Sequence, residues 1–229
     1  MARKTLACAL LLLAACARRE SAAPTAQASA GAKPFVLDTT TPLKDPLPMV
    51  AARVNGHEIP TSQVVAAAET ALRQGAVKEK ILAYRQALNQ YVVRELLLEE
   101  ALRRGLAPDA AAVERAYDDA RVAFKDDALW LEELKKQGLT ARGFREELRA
   151  KQTVSLLLSE EAEKVKEPTD SELREVYAKL PEQQAGRAKP AFEEFQGSLR
   201  EQLWRTRREG HMQALVNRLR GRARIETFL

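Results

Sequence analysis

Few residues in this chain of 229 are of types that do chemistry. There are two cysteines, Cys8 and Cys16, and two histidines, His57 and His211. Structural zinc needs four Cys or His ligands at characteristic spacing, and iron–sulfur clusters need cysteines, so neither centre is expected. The acidic pairs Glu99-Glu100, Glu132-Glu133, Glu146-Glu147 and Glu160-Glu161 could suggest paired carboxylates for acid–base work. Each pair, however, lies at helix-surface spacing beside Lys or Arg, which reads as solvated, ion-paired faces. His57 and His211 read as surface or capping residues. No glycine-rich phosphate loop, no Gly-x-Ser-x-Gly elbow and no metal spacing is present. The expectation is therefore no catalytic residue, no metal, no cofactor and no nucleotide.

Cys16 is different because of what precedes it. Arg3 and Lys4 form a basic start, and Thr5 to Ala15 is apolar. Eleven residues are too few to span a bilayer, which takes about 20, and they suit the core of a signal peptide. The string Leu13-Ala14-Ala15-Cys16 resembles the lipobox of bacterial lipoproteins. That resemblance implies cleavage before Cys16, lipid attachment to its thiol and acylation of its amine, hence firm membrane anchoring. No free thiol would then remain for nucleophilic catalysis or a disulfide. Ala17 in place of Asp implies, by resemblance to sorting rules in enteric bacteria, the periplasmic side of the outer membrane. The formal charge of +5 drops once the basic start is removed and gives no nucleic-acid signature.

Three regions follow. Residues 1–15 are the leader. Residues 16–48, rich in Ala, Ser, Thr and Pro without apolar periodicity, form a tether with a reach of roughly 30 Å. Residues 49–229 fold. Aromatics are 5% and charged residues 30%, a helix-rich composition. Met49 to Val54 is a short strand, Asn55-Gly56 the strongest two-residue hairpin signal, and His57 to Ile59 the return strand. Arg222 to Phe228 reads as another strand, expected to pair with the hairpin and close the chain on itself.

Helices fill the interval. One is expected over Ser62 to Arg73, with Thr61 as N-cap, and a long one over Val77 to Arg104, stopped by Gly105. Pro108 opens a third, reaching Phe124. Asp126 or Asp127 caps a short one through Leu131 and Leu134. Thr140 caps another long helix, broken at Glu167-Pro168. Thr169-Asp170-Ser171-Glu172 is a capping box. Leu180 to Lys189 reads as a loop. Pro190 starts a last helix carrying Phe192, Phe195, Leu199, Leu203, Met212, Leu215 and Leu219 at three-to-four spacing. The fold class is mainly α: long amphipathic helices with a small sheet joining the two ends.

The order of these pieces is similar to that in the chaperone domain of the SurA/PrsA family of envelope folding factors. The pieces are Val54-Asn55-Gly56 before a helix, Leu96-Leu97-Leu98-Glu99-Glu100-Ala101 with Gly105, Gln137-Gly138-Leu139-Thr140, Pro168 to Leu173, and the final helix followed by Ala223 to Glu226. The resemblance covers residues 49–229. It implies a domain that holds unfolded exported or outer-membrane proteins without ATP. Family members usually insert a parvulin prolyl-isomerase domain before the final helix. Only Leu180 to Lys189 stands there, so isomerase activity is expected to be absent. Trp130, Trp204 and Met212 are the candidate client-contacting side chains, with half-buried core as the other role of the tryptophans. The basic run Arg205, Arg207, Arg208, Arg218, Arg220, Arg222 and Arg224 reads as a solvated face, with anionic lipid or acidic client tails as the alternative. Two other functions stay open: a structural or assembly subunit with one dedicated partner in an envelope export system, and a degenerate isomerase.

Overall fold

A computed structural model describes residues 41–180, 183–184, 187–188 and 191–229. The leader, Cys16 and most of the expected tether lie outside the described residues. Strands β1 (Val50–Val54) and β2 (His57–Pro60) form the hairpin. Asn55 and Gly56 have φ of 49° and 92°, the positive values a two-residue turn of this kind requires. Helices α1 (Thr61–Arg73) and α2 (Lys80–Arg103) follow, then α3 (Ala110–Val122), α4 (Asp127–Lys136), α5 (Ala141–Glu163) and α6 (Asp170–Ala178). The two-residue strands β3 (Gln183–Gln184) and β4 (Arg187–Ala188) pair antiparallel. The 29-residue α7 (Phe192–Arg220) leads to β5 (Ile225–Thr227).

The main sheet has the order β2-β1-β5, with both pairings antiparallel. The last strand therefore returns to the first, as the closing-strand reading expects. Asn55 secures this closure: its N–H donates to the Arg224 carbonyl at 2.9 Å and its Oδ1 accepts the Arg224 N–H at 2.8 Å.

The helix boundaries differ from expectation where a neighbour claims the backbone. The β1–β2 ladder runs through Pro60, and the Thr61 N–H donates to the Met49 carbonyl. Pro60 is thus the N-cap of α1 without a side-chain cap, and Thr61 is its first residue. Asp109, rather than Pro108, precedes α3, its carboxylate accepting the Ala111 N–H. Asp126 caps α4, Thr140 caps α5, and Thr169 with Glu172 forms the complete capping box of α6, as their sequences imply. The expected loop Leu180 to Lys189 contains the small β3–β4 ladder.

Apolar burial divides into a hub and two arms. In the hub, α1, the N-terminal half of α2 and the sheet enclose Val54, Ile59, Val64, Leu88, Val92 and Leu96. Leu43 and Leu47, assigned by composition to the tether, also pack here. One arm is built by α3, α4 and the start of α5 around Tyr117, Trp130 and Leu134. The other is built by α6 and the start of α7 around Leu173, Phe192 and Leu199. The root of both is a fourth cluster in which Leu97 and Ala101 of α2, Leu157 of α5 and Leu215 of α7 meet.

Candidate functional site

The root carries a network of ion pairs that joins three helices. Arg104, near the end of α2, donates to Glu100 at 2.8 Å, to Glu160 at 2.8 Å and to Glu161 at 2.6 Å. Arg103 grips Glu100 through two nitrogens. Lys164 spans Glu160 and Glu161, and His211 of α7 sets its Nε2 2.6 Å from Glu161 Oε2. Glu100 is 7% exposed and Glu161 2%. The expectation of solvated faces for Glu99-Glu100 and Glu160-Glu161 is corrected here: one member of each pair is buried. A charge on a helix facing two other helices leaves water, and it stays ionised only with hydrogen-bonding partners of opposite charge. His211 likewise belongs to this junction and is not simply a surface residue.

Electrostatics keep both acids ionised. Hydrogen bonds from Arg103 and Arg104 outweigh burial and hold the Glu100 carboxyl at about 2. Burial pushes Glu161 up, but Lys164, Arg104 and His211 together bring it down to about 2. Carboxylates this acidic and this fully engaged are poor general bases near neutrality. The junction is a clamp joining α2, α5 and α7.

The arms place the candidate side chains differently. Trp130 is buried at 4% exposure. Its Nε1–H donates to the Tyr117 hydroxyl at 3.0 Å, and its ring meets Phe124 and Phe144 with centroids 5.1 Å away. It lines no surface; it is the centre of an arm core, where its large ring fills the gap between α3, α4 and the start of α5. Met212 packs half-buried against the root cluster. Trp204 is half-buried on α7, with the Arg208 guanidinium 4.6 Å from its ring centroid and its Nε1 lacking a hydrogen-bond partner. Of the three candidates, Trp204 is a half-buried ring whose unpartnered Nε1 is itself buried. Of the basic run, Arg207 bonds Glu172 and Arg220 bonds Asn89, so these two tie elements together instead of forming a free face.

The side chains the sequence reading missed are exposed aliphatics. Val122 at the end of α3 is 77% exposed, and Leu129 and Leu131 on α4 are 45% and 51% exposed. Helix α4 is so short that only Trp130 and Leu134 reach the arm core. Val122 and Phe124 border a shallow cleft of about 500 Å³ between α3 and α4, rimmed by Arg121, Lys125, Asp126 and Asp127. Leu102 on α2 is 59% exposed, and Leu156 and Leu158 on α5 are 41% and 37% exposed. Periodicity could have flagged Leu102, which falls between the buried Ala101 and Arg103.

Among the described residues, no three His, Cys, Asp or Glu side chains gather as a metal site, and no helix is long and apolar enough to cross a membrane. His57 lies on the hairpin and His211 at the root, on separate elements.

No curated protein matches the chain. A family model described as the SurA-like N-terminal domain matches residues 30–158, from before the hairpin to the C-terminal part of α5. The remaining helices α6 and α7 lie beyond that match but return through β5 to the same sheet. A match over more than half of the chain, on a mainly helical fold closed by a three-stranded antiparallel sheet, shows that the chain belongs to the SurA-like N-terminal domain family.

Proposed function

We propose that this protein is an ATP-independent chaperone of the bacterial envelope that holds unfolded exported or outer-membrane proteins, without prolyl-isomerase activity. In this reading it is anchored on the periplasmic side by lipid on Cys16, which gives outer-membrane attachment with Ala17 as the sorting residue. Family membership is the observation that carries the proposal. The exposed aliphatics on the arms support it. Scattered single leucines are ordinary on a surface, but Val122, the most exposed of these, borders the cleft between α3 and α4, a position that suits interaction. Each buried aliphatic side chain contributes about 1.5–3 kcal/mol at most. A client touching two or three of them is held weakly and released without ATP. Between α6 and α7 the chain has residues 179–191, far short of an independent domain, which supports the absence of isomerase chemistry.

The test dilutes an unfolded outer-membrane β-barrel protein into buffer with residues 17–229, which include every described residue, and follows light scattering. Suppression near equimolar ratio without ATP is expected. No suppression by a protein shown to be folded and helical rejects the general chaperone, and crosslinking in the native envelope would then seek one dedicated partner.

A further inference from the structure

A second cleft, of about 110 Å³, lies between the β-hairpin and α2. It is separate from the arms and from the charged root. Val54 forms its buried floor, Leu98 and Leu102 its aliphatic wall, and Glu95, Glu99 and His57 the rest of its lining. The helix residues sit at i, i+3, i+4 and i+7, so two carboxylates and two leucines occupy one face of α2.

Neither carboxylate has an arginine or lysine partner among the described residues. Most acids on this chain's helices are engaged by an arginine or lysine. Glu95 is half-buried and has neither a hydrogen bond nor an ion pair among the described residues. Burial pushes its carboxyl up, and the charges of Arg94 and His57 offset this only in part. Its neighbour Arg94 is engaged by Glu147 across the α2–α5 interface. Glu99 accepts from the Asn55 side chain through Oε2, which fixes its rotamer and leaves its other oxygen unused. No Lys or Arg lines the cleft.

We propose that this cleft is a subsite for a lysine or arginine side chain of an extended polypeptide, its methylene stem lying on Leu98 and Leu102 and its cation reaching Glu95 and Glu99. The inference rests on the chain being a binder of extended polypeptides. Lysine and arginine have the required shape, an apolar stem with a charged tip. A cation beside Glu95 completes a compensation that Arg94 and His57 supply only in part. The whole protein carries a formal charge of +5, so its overall field repels a basic ligand, and any preference for one must come from local carboxylates.

The test uses residues 17–229 and three fluorescein-labelled peptides of equal length: one alternating Leu and Lys, one with Gln in place of Lys, and one with Glu. Fluorescence anisotropy gives their affinities at low and high salt. The expected result is binding of the Lys peptide roughly tenfold tighter than the Gln peptide, weakest binding of the Glu peptide, and loss of the ranking at high salt. In the double variant Glu95→Gln/Glu99→Gln, shown to be folded by circular dichroism, the preference for Lys should vanish. Equal affinities for the Lys and Gln peptides, or a preference that survives in the double variant, overturns the subsite. Light scattering by the unaltered protein separates the two readings. Suppression without a Lys preference rejects the subsite alone, whereas no peptide binding and no suppression rejects both.

Discussion

Arg104 shows how one side chain decides the arrangement of three helices. Its guanidinium touches Glu100 on its own helix and Glu160 and Glu161 on α5, and Glu161 in turn holds His211 on α7. Replacing Arg104 with Ala leaves two nearly buried carboxylates short of a partner, and breaking such a pair costs about 3–5 kcal/mol. A large fall in the urea midpoint of Arg104→Ala at pH 7 is expected; a change below about 1 kcal/mol would contradict the clamp. His211→Ala should cost much less, because Glu161 keeps Arg104 and Lys164. The same site fixes the acid response. Glu100 and Glu161 are held at about 2 when folded against an ordinary 4.5. A depressed folded value means the stabilisation is present above 4.5 and is lost as pH falls from there toward 2. Each carboxylate contributes up to about 3 kcal/mol on that basis, less than additively because the two share Arg104. Urea titrations at pH 7, 4 and 3 should show stability falling steeply only below pH 4.5.

At the scale of elements, capping and turn chemistry carry the most information. Asn55 occupies a positive-φ position and holds three elements through its side chain and backbone: Glu99 on α2 and both backbone groups of Arg224. Asn55→Ala loses two side-chain bonds and places a Cβ-bearing residue without local hydrogen bonding in a left-handed conformation. A cost of about 2–3 kcal/mol is expected from these terms, whereas Asn55→Gly should recover the conformational part. Thr169→Ala removes only a cap, at about 1 kcal/mol, and should leave the hub unaffected in thermal melts. The hairpin, the closing strand and the caps at Asp126, Thr140 and Thr169 were legible because Asn-Gly, Thr/Asp caps and the capping box act through local chemistry that sequence states directly. The starts of α1 and α3 were not, since the strand ladder claims Thr61, and Asp109 caps α3 after Pro108. The burial of Glu100 and Glu161 was not legible: a charged helix face reads the same whether it meets water or another helix. Helix α2 hid its surroundings in the same way. It is buried on more than one side, with Ala83, Ala87, Leu97 and Ala101 inside alongside Tyr84, Leu88 and Val92, since the hub takes one face and α5 with α7 take another. Trp130, for its part, bears the residue type of a binding surface but the neighbours of a core.

The molecule as a whole is a hub with two small satellite cores, and that division predicts how it moves. The hub joins the first and last strands of the fold, and its large cluster includes chain-end contacts such as the bond from buried Arg85 to the Leu229 carbonyl at 2.9 Å. Each arm core packs short helices against the start of a long one: α3 and α4 have 13 and 10 residues and lie on α5, and α6 has 9 and lies on α7. Helices of that length are marginal by themselves and depend on tertiary packing. The arms should therefore open locally at lower free energy than the hub. Amide hydrogen exchange measures this directly. Amides of α3, α4 and α6 should exchange well before those of β1 and the centre of α2, and Trp130→Ala should speed exchange in α3 and α4 while leaving β1 protected. Uniform protection across the chain would show a single cooperative unit. Arms that open independently of a rigid hub can present Val122, Leu129 and Leu131 at varying separations, which suits the capture of clients without a fixed shape. A uniformly rigid molecule would instead favour one partner of fixed geometry, so the exchange pattern bears on function as well as on stability.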